Sequence, residues 1–135
     1  MVTQMAVNGQ DFFESAEKVI ANGDEISYRN GVSRAYYAMY HETRDTLTAA
    51  PNFAQSPHDG LIKYLRGNAC RGDEPFEHGN LRSLASMLEQ QKGKRHKADY
   101  SIAEPLEESV ALEAIFFAKK LFDKCQEMKA SLKTK

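Results

Sequence analysis

The residues best suited to chemistry are Arg34 and His41, which bound most of the segment SRAYYAMYH at residues 33–41. They are seven residues apart, or two helical turns, so a helix would project both from nearly one direction. A guanidinium holds a phosphate through paired hydrogen bonds, and an imidazole moves protons near neutral pH. Together they predict metal-independent RNA cleavage. His41 would deprotonate the ribose 2′-hydroxyl or protonate the leaving oxygen, while Arg34 stabilises the phosphorane charge.

The same spacing allows one alternative to this interpretation, and the catalytic interpretation itself carries one requirement. An Arg and a His two turns apart are also common on an ordinary solvated helix surface. If the pair is catalytic, one Arg and one His supply only half of an acid–base set. A symmetry-related copy would supply the other half, and a polar helix face suits a two-fold interface. The sequence therefore predicts a homodimer with a composite site.

The helix that must position this pair spans about residues 25–47, and its side chains divide into two faces. One face is apolar: Val32, Ala35, Tyr36, Met39, Thr43 and Leu47. The opposite face is polar: Asn30, Arg34, Tyr37, His41 and Asp45. Gly31 costs about 1 kcal/mol relative to Ala inside a helix, so it indicates a bend or a close approach by another backbone.

Four further helices are predicted at about residues 10–21, 58–66, 80–91 and 104–129, with the Gly and Pro clusters between them. The turn-rich segment 67–80 and the basic segment 92–100 are expected to be loops. Strand-like alternation is not found in the sequence. The chain is therefore predicted to be all-α, a single domain over residues 1–135 folded as an antiparallel four- to five-helix bundle.

Composition narrows the class of protein. A net charge of −1 gives no global attraction to nucleic acid or membranes, so any RNA contact must use local basic residues. The segment KGKRHK at 92–97 is one such place, although the sequence favours solvated loop charge over phosphate binding there. Arg95 and Asp99 are expected to pair there and to hold Tyr100 against the bundle.

The sequence lacks the patterns that are typical of membrane, secreted and metal-binding proteins. No apolar run approaches the roughly 20 residues of a membrane span, and the N-terminal segment lacks the pattern of a signal peptide. The two cysteines, Cys70 and Cys125, form no CxxC motif, which favours free thiols in a reducing cytoplasm. His58 and His78 have no acidic partner at ligand spacing. We expect a cytoplasmic protein with no membrane association, metal site or cofactor.

The motif and its setting resemble the HEPN family. The similar features are SRAYYAMYH in a long second helix, His58 opening the third, and RHKADY at 95–100 before a long last helix. They cover about residues 12–122 and are most similar to small stand-alone prokaryotic HEPN proteins, often encoded beside a minimal nucleotidyltransferase. The resemblance implies a four- or five-helix bundle that dimerises through the motif helix. It also implies metal-independent endoribonuclease activity, often as a toxin or defence effector restrained by a nucleotidyltransferase-type antitoxin.

The family's ribonucleases have an Arg, four to six residues and then a His, and Arg34 and His41, with six residues between them, match that pattern. Active members usually have a polar residue directly after the Arg, where this chain has Ala35. Asn30 lies one turn before Arg34 and could replace that residue, and Tyr37 could stack on a base, so both are predicted to bind substrate. Some members carry a nucleotidylated Tyr at the position of Thr43. A non-catalytic HEPN module that binds nucleotide, RNA or a nucleotidyltransferase, and a helical adaptor with a dimer seam, stay open as alternatives.

Overall fold

The computed structural model describes residues 7–53 and 55–133, and these form an all-helical bundle. The helices are α1 (Gly9–Ile20), α2 (Glu25–Thr46), α3 (Pro57–Arg66), α4 (His78–Tyr100) and α5 (Glu108–Lys133). A π-helical turn, Ala69–Asp73, lies between α3 and α4. The prediction of an all-α bundle is confirmed. Residues 1–6, on which much of the expectation about a signal peptide depends, lie outside the described residues.

Helix α2 is the central element, because it packs against α1, α4 and α5. All six residues of its predicted apolar face are buried. On the predicted polar face, Asn30 and Asp45 are exposed, while Arg34, Tyr37 and His41 are half-buried. The division of α2 into two faces is therefore confirmed, and the polar face is partly covered by neighbouring elements.

Helix α1 runs antiparallel to α2 at very short range. Its first residue, Gly9, lies so close to α2 that an added Cβ would be 2.9 Å from the Ala38 carbonyl oxygen. Near its other end, the Ile20 side chain occupies the place where a Cβ on Gly31 would lie. The close approach predicted at Gly31 is thus real, and it is made by an α1 side chain. A capping box fixes where α1 begins: the Asp11 backbone N–H donates to the Asn8 side chain, and the Asn8 backbone N–H donates to the Asp11 carboxylate.

The buried guanidinium of Arg29 fastens the end of α4 to the start of α2. Arg29 donates to the carbonyls of Ala98 at 3.0 Å, Ser101 at 3.4 Å and Glu104, and it pairs with Glu25 at 2.9 Å. The last carbonyls of a helix have no partner within the helix, so a cation there satisfies them and favours the helix dipole. This contact sets α4 antiparallel to α2.

The basic segment 92–100 was predicted to be a loop, and this prediction is wrong: the segment continues α4 as helix. Its Lys, Arg and Ala residues are good helix formers even though they show little apolar periodicity. Tertiary contacts reinforce the helix, since Ala98 is buried and Lys94 pairs with Glu113 of α5 at 2.7 Å. The extension matters because it places Arg95 against α2.

The turn-rich segment 67–80 is only partly a loop. It contains the π-helical turn and the first residues of α4. Its buried Glu74 accepts hydrogen bonds from the Thr48 backbone at 2.7 Å, the Ala49 backbone at 2.9 Å and the Tyr64 hydroxyl at 2.6 Å. One carboxylate therefore ties the segment to α3 and to the chain after α2. Over the described residues, none of the helices has the length and apolar character needed to cross a bilayer.

Candidate functional site

Two histidines from different helices meet in one aromatic cluster beside α2. We define the His41–His58 cluster by six residues: Tyr36, Tyr37, Tyr40, His41, His58 and Arg95. Helix α2 supplies four of them, α3 supplies His58 and α4 supplies Arg95. The Tyr40 ring contacts both imidazoles, with ring centroids 5.2 Å from His41 and 4.4 Å from His58. The site is therefore assembled from three helices.

His41 is held half-buried against α1. Its ring stacks on Phe12 with centroids 4.9 Å apart and an interplanar angle of 23°. Burial, followed by the nearby charge of Arg44, lowers the pKa of His41 below its usual value. The imidazole is consequently neutral at pH 7 and retains a lone pair that can accept a proton. His41 also lines an open cavity of about 670 Å³ where α1, α2 and α5 meet.

His58 lies in the first turn of α3, with its Nδ1 2.8 Å from the Tyr36 hydroxyl. Burial raises the pKa of Tyr36, so its phenol remains protonated. The direction of this hydrogen bond depends on the tautomer of the His58 ring, and a protonated phenol is able to donate to Nδ1. Burial first, and then the charges of Arg95 and Lys92, lower the pKa of His58. In the tautomer in which Tyr36 donates to Nδ1, the neutral ring carries its proton on Nε2, which makes Nε2 a hydrogen-bond donor.

Arg95 supplies a fixed positive charge to the cluster. Its guanidinium carbon lies 5.5 Å from the Tyr36 ring centroid and 5.7 Å from that of Tyr37. The expected pairing with Asp99 is confirmed, at 3.4 Å. Arg95 Nε is buried and has no hydrogen-bond partner among the residues described. The expectation that this pair holds Tyr100 against the bundle is wrong, since Tyr100 is 66% exposed.

Arg34 lies outside the cluster. Its Nη1 donates to the Ser15 hydroxyl of α1 at 3.0 Å. Two turns of α2, roughly 10 Å along the helix axis, separate it from His41, and no contact joins their side chains in the described part of the chain. Within one chain, His41 is therefore connected through the Tyr40 ring to His58 and not to Arg34.

The two predicted substrate-binding residues are placed differently. Tyr37 belongs to the cluster, where its ring centroid lies 5.6 Å from that of His58. Asn30 is exposed near the start of α2, away from the cluster. Ala35, directly after Arg34, is 1% exposed and faces the core.

The sequence did not assign Tyr36 and Tyr40 of α2 to the site, nor the two members from other helices, His58 and Arg95. Both stand in segments that resemble the HEPN pattern, which was the available signal. Their convergence on Tyr36 depends on how α3 packs on α4 and how α4 packs on α2, and residue spacing does not report that packing.

The remaining chemistry-bearing residues lie elsewhere. In residues 7–53 and 55–133, no group of three or more His, Cys, Asp or Glu side chains is arranged to hold a metal ion. Both cysteines are free thiols: Cys70 is half-buried, and burial raises the pKa of Cys125 to about 11. Comparisons with protein-family models, with curated proteins and with solved structures found no match.

Proposed function

We propose that this protein is a metal-independent endoribonuclease of the HEPN type that acts as a homodimer. The observation that best supports this function is the meeting of two neutral imidazoles, His41 and His58, at the Tyr40 ring. RNA cleavage without a metal needs one group that takes up a proton and others that stabilise charge on the phosphate. A neutral His41 and the Nε2 donor of His58 meet those two requirements.

The proposed reaction is internal transesterification at a ribose. His41 accepts the 2′-hydroxyl proton, the 2′-oxygen bonds to phosphorus, and the bond from phosphorus to the 5′-oxygen breaks. The His41 imidazolium returns the proton to the leaving 5′-oxygen, so the products are a 2′,3′-cyclic phosphate and a 5′-hydroxyl. His58 donates from Nε2 to a non-bridging phosphate oxygen. Arg34 binds the phosphate through its guanidinium.

Dimerisation would bring Arg34 of one copy close to His41 of the other copy. In one chain, Arg34 and His41 are two helical turns apart on the same face of α2. If two copies of α2 pack antiparallel across a two-fold axis, one chain's Arg34 lies opposite the other chain's His41. The composite site then contains an imidazole from one copy and a guanidinium from the other. Light scattering should accordingly give twice the chain mass of 15.2 kDa.

The activity is tested with purified full-length protein, a fluorescent RNA and an excess of EDTA. We expect the wild type to cleave the RNA and His41→Ala to be slower by at least about 100-fold, because it lacks the proton acceptor. Arg34→Ala should also be slower. The matched control is His78→Ala, which removes an exposed histidine at the start of α4 and should leave the rate unchanged. The proposal would be overturned if the RNA stayed equally intact with the wild type and with His41→Ala, or if EDTA abolished the cleavage.

A non-catalytic HEPN module that binds RNA, a nucleotide or a nucleotidyltransferase partner is the second candidate. Two observations favour it: Ala35 is buried, and the Arg34 guanidinium is already bonded to Ser15. This function predicts that wild type and His41→Ala bind RNA equally well and leave it intact.

Either function is compatible with a cytoplasmic toxin or defence effector that a nucleotidyltransferase-type partner restrains. Thr43 occupies the position of the nucleotidylated Tyr of some HEPN toxins and is fully buried, at 0% exposed. We therefore propose that such a partner would restrain this chain by binding to it, without modifying that position.

A further inference from the structure

A groove of about 590 Å³ between α3 and α4 opens beside the His41–His58 cluster. Its walls carry more positive than negative side chains. The basic residues are Lys63, Arg66, Lys92, Arg95, His96 and Lys97, and the acidic residues are Asp59 and Glu89. The groove thus concentrates positive charge in a chain whose net charge is −1.

Two ion pairs between α3 and α4 neutralise the acids of the groove. Lys92 pairs with Asp59 at 2.5 Å, and Arg66 pairs with Glu89 at 2.9 Å. Lys63 and Lys97 form no salt bridge within the described residues. A ligand entering the groove therefore meets uncompensated positive charge without having to break the two bridges that join the helices.

An exposed aromatic pair stands at the end of α4, and one of its two rings lines the groove. His96 lines the groove, and its ring centroid is 4.8 Å from that of Tyr100 one turn later. Tyr100 is 66% exposed, so its ring is free to stack on a ligand. A positively charged groove combined with aromatic rings is how proteins bind single-stranded nucleic acid, because the cations follow the backbone and the rings stack on bases.

We propose that this groove binds the phosphate backbone of single-stranded RNA, with His96 and Tyr100 stacking on a base. The proposal deepens the proposed function and rests on it, since the bound strand is the substrate of the His41–His58 cluster. Arg95 connects the two places, because it lines the groove and lies against Tyr36 and Tyr37. An acidic polypeptide would match the cations but would leave the two exposed rings without a function.

The test is fluorescence anisotropy with a single-stranded RNA, in a His41→Ala background so that the probe is not cut. The double variant Lys63→Ala/Lys97→Ala should bind about tenfold more weakly, and the slope of log affinity against log salt should fall by about 1.4. Its control, Lys18→Ala/Lys119→Ala, removes two exposed lysines from α1 and α5 and should bind as the background does. Tyr100→Ala should also lose about tenfold, whereas Phe116→Ala, an exposed aromatic on α5, should lose nothing.

Equal affinity of the groove variants and their controls would overturn the inference. It would also be overturned if polyglutamate displaced the RNA while Tyr100→Ala bound normally, because the groove would then accept acidic chains in general. The two proposals fail separately. RNA that binds in the groove but is never cleaved by the wild type contradicts the nuclease alone. If the groove variants bind and cleave RNA as the wild type does, only the inference that the groove binds RNA is contradicted.

Discussion

His41 and His58 reach the same chemical state through different contacts. His41 is stacked on Phe12, whereas His58 is hydrogen-bonded to Tyr36 and surrounded by aromatic rings. In both cases burial is the largest cause of a lowered pKa, and nearby cations add to it. The motif predicted the polar setting of His41 because helical spacing determines which face it occupies. It did not predict that His58 joins the same cluster, because the contact between residues 36 and 58 depends on how α3 packs on α4 and how α4 packs on α2.

The lowered pKa values of both histidines predict that the protein is less stable in acid. The folded pKa lies below the unfolded value of about 6.5, so between these two values the unfolded chain binds more protons. Their contribution to the free energy of unfolding is complete above about pH 6.5 and is lost as the pH falls below it. The urea midpoint should drop between pH 7 and pH 5, and by less in His41→Gln/His58→Gln.

The control for this measurement is His78→Gln, which changes an exposed histidine and should keep the full wild-type pH dependence. If the double variant lost as much stability between pH 7 and pH 5 as the wild type does, the two imidazoles would not be the groups that titrate.

At the scale of elements, the helices predicted best are those whose apolar faces are regular. The observed α1 and α2 begin and end close to the predicted positions, because the cap residues Asn8 and Asp24 and the positive φ of Gly23 mark their limits. Helix α4 was predicted too short because its second half is charged. Its stability there depends on Arg29 and on contacts with neighbouring helices, which periodicity does not reveal.

Replacement by alanine should have opposite effects at Gly31 and Gly93, because only Gly31 lies in the close contact between α1 and α2. Gly31→Ala should lower the free energy of unfolding, because the new Cβ would overlap the Ile20 side chain. Gly93→Ala, in the middle of α4, meets open space and should raise it by about 1 kcal/mol through helix propensity. Urea denaturation of the two variants measures both effects. Stabilisation by Gly31→Ala would contradict the close contact between α1 and α2.

At the scale of the whole molecule, the sequence was sufficient to predict an all-helical bundle, because apolar periodicity and helix caps are local properties. It was not sufficient to predict which helices build the site. The cluster draws on α2, α3 and α4, and the basic groove needs α3 and α4 side by side. The net charge of −1 does not indicate the basic groove, because acidic residues elsewhere in the chain balance its cations. Long-range packing therefore determines the chemistry of this bundle.

The proposed attack by the 2′-oxygen is tested by the chemical structure of the ends that the protein leaves on RNA. A synthetic RNA is incubated with wild-type protein in EDTA, and the fragments are weighed by mass spectrometry. Attack by the 2′-oxygen predicts fragments ending in a 2′,3′-cyclic phosphate, and no cleavage of the same strand with 2′-deoxyribose throughout. Fragments ending in a 3′-hydroxyl, or cleavage of the deoxy strand, would contradict the account.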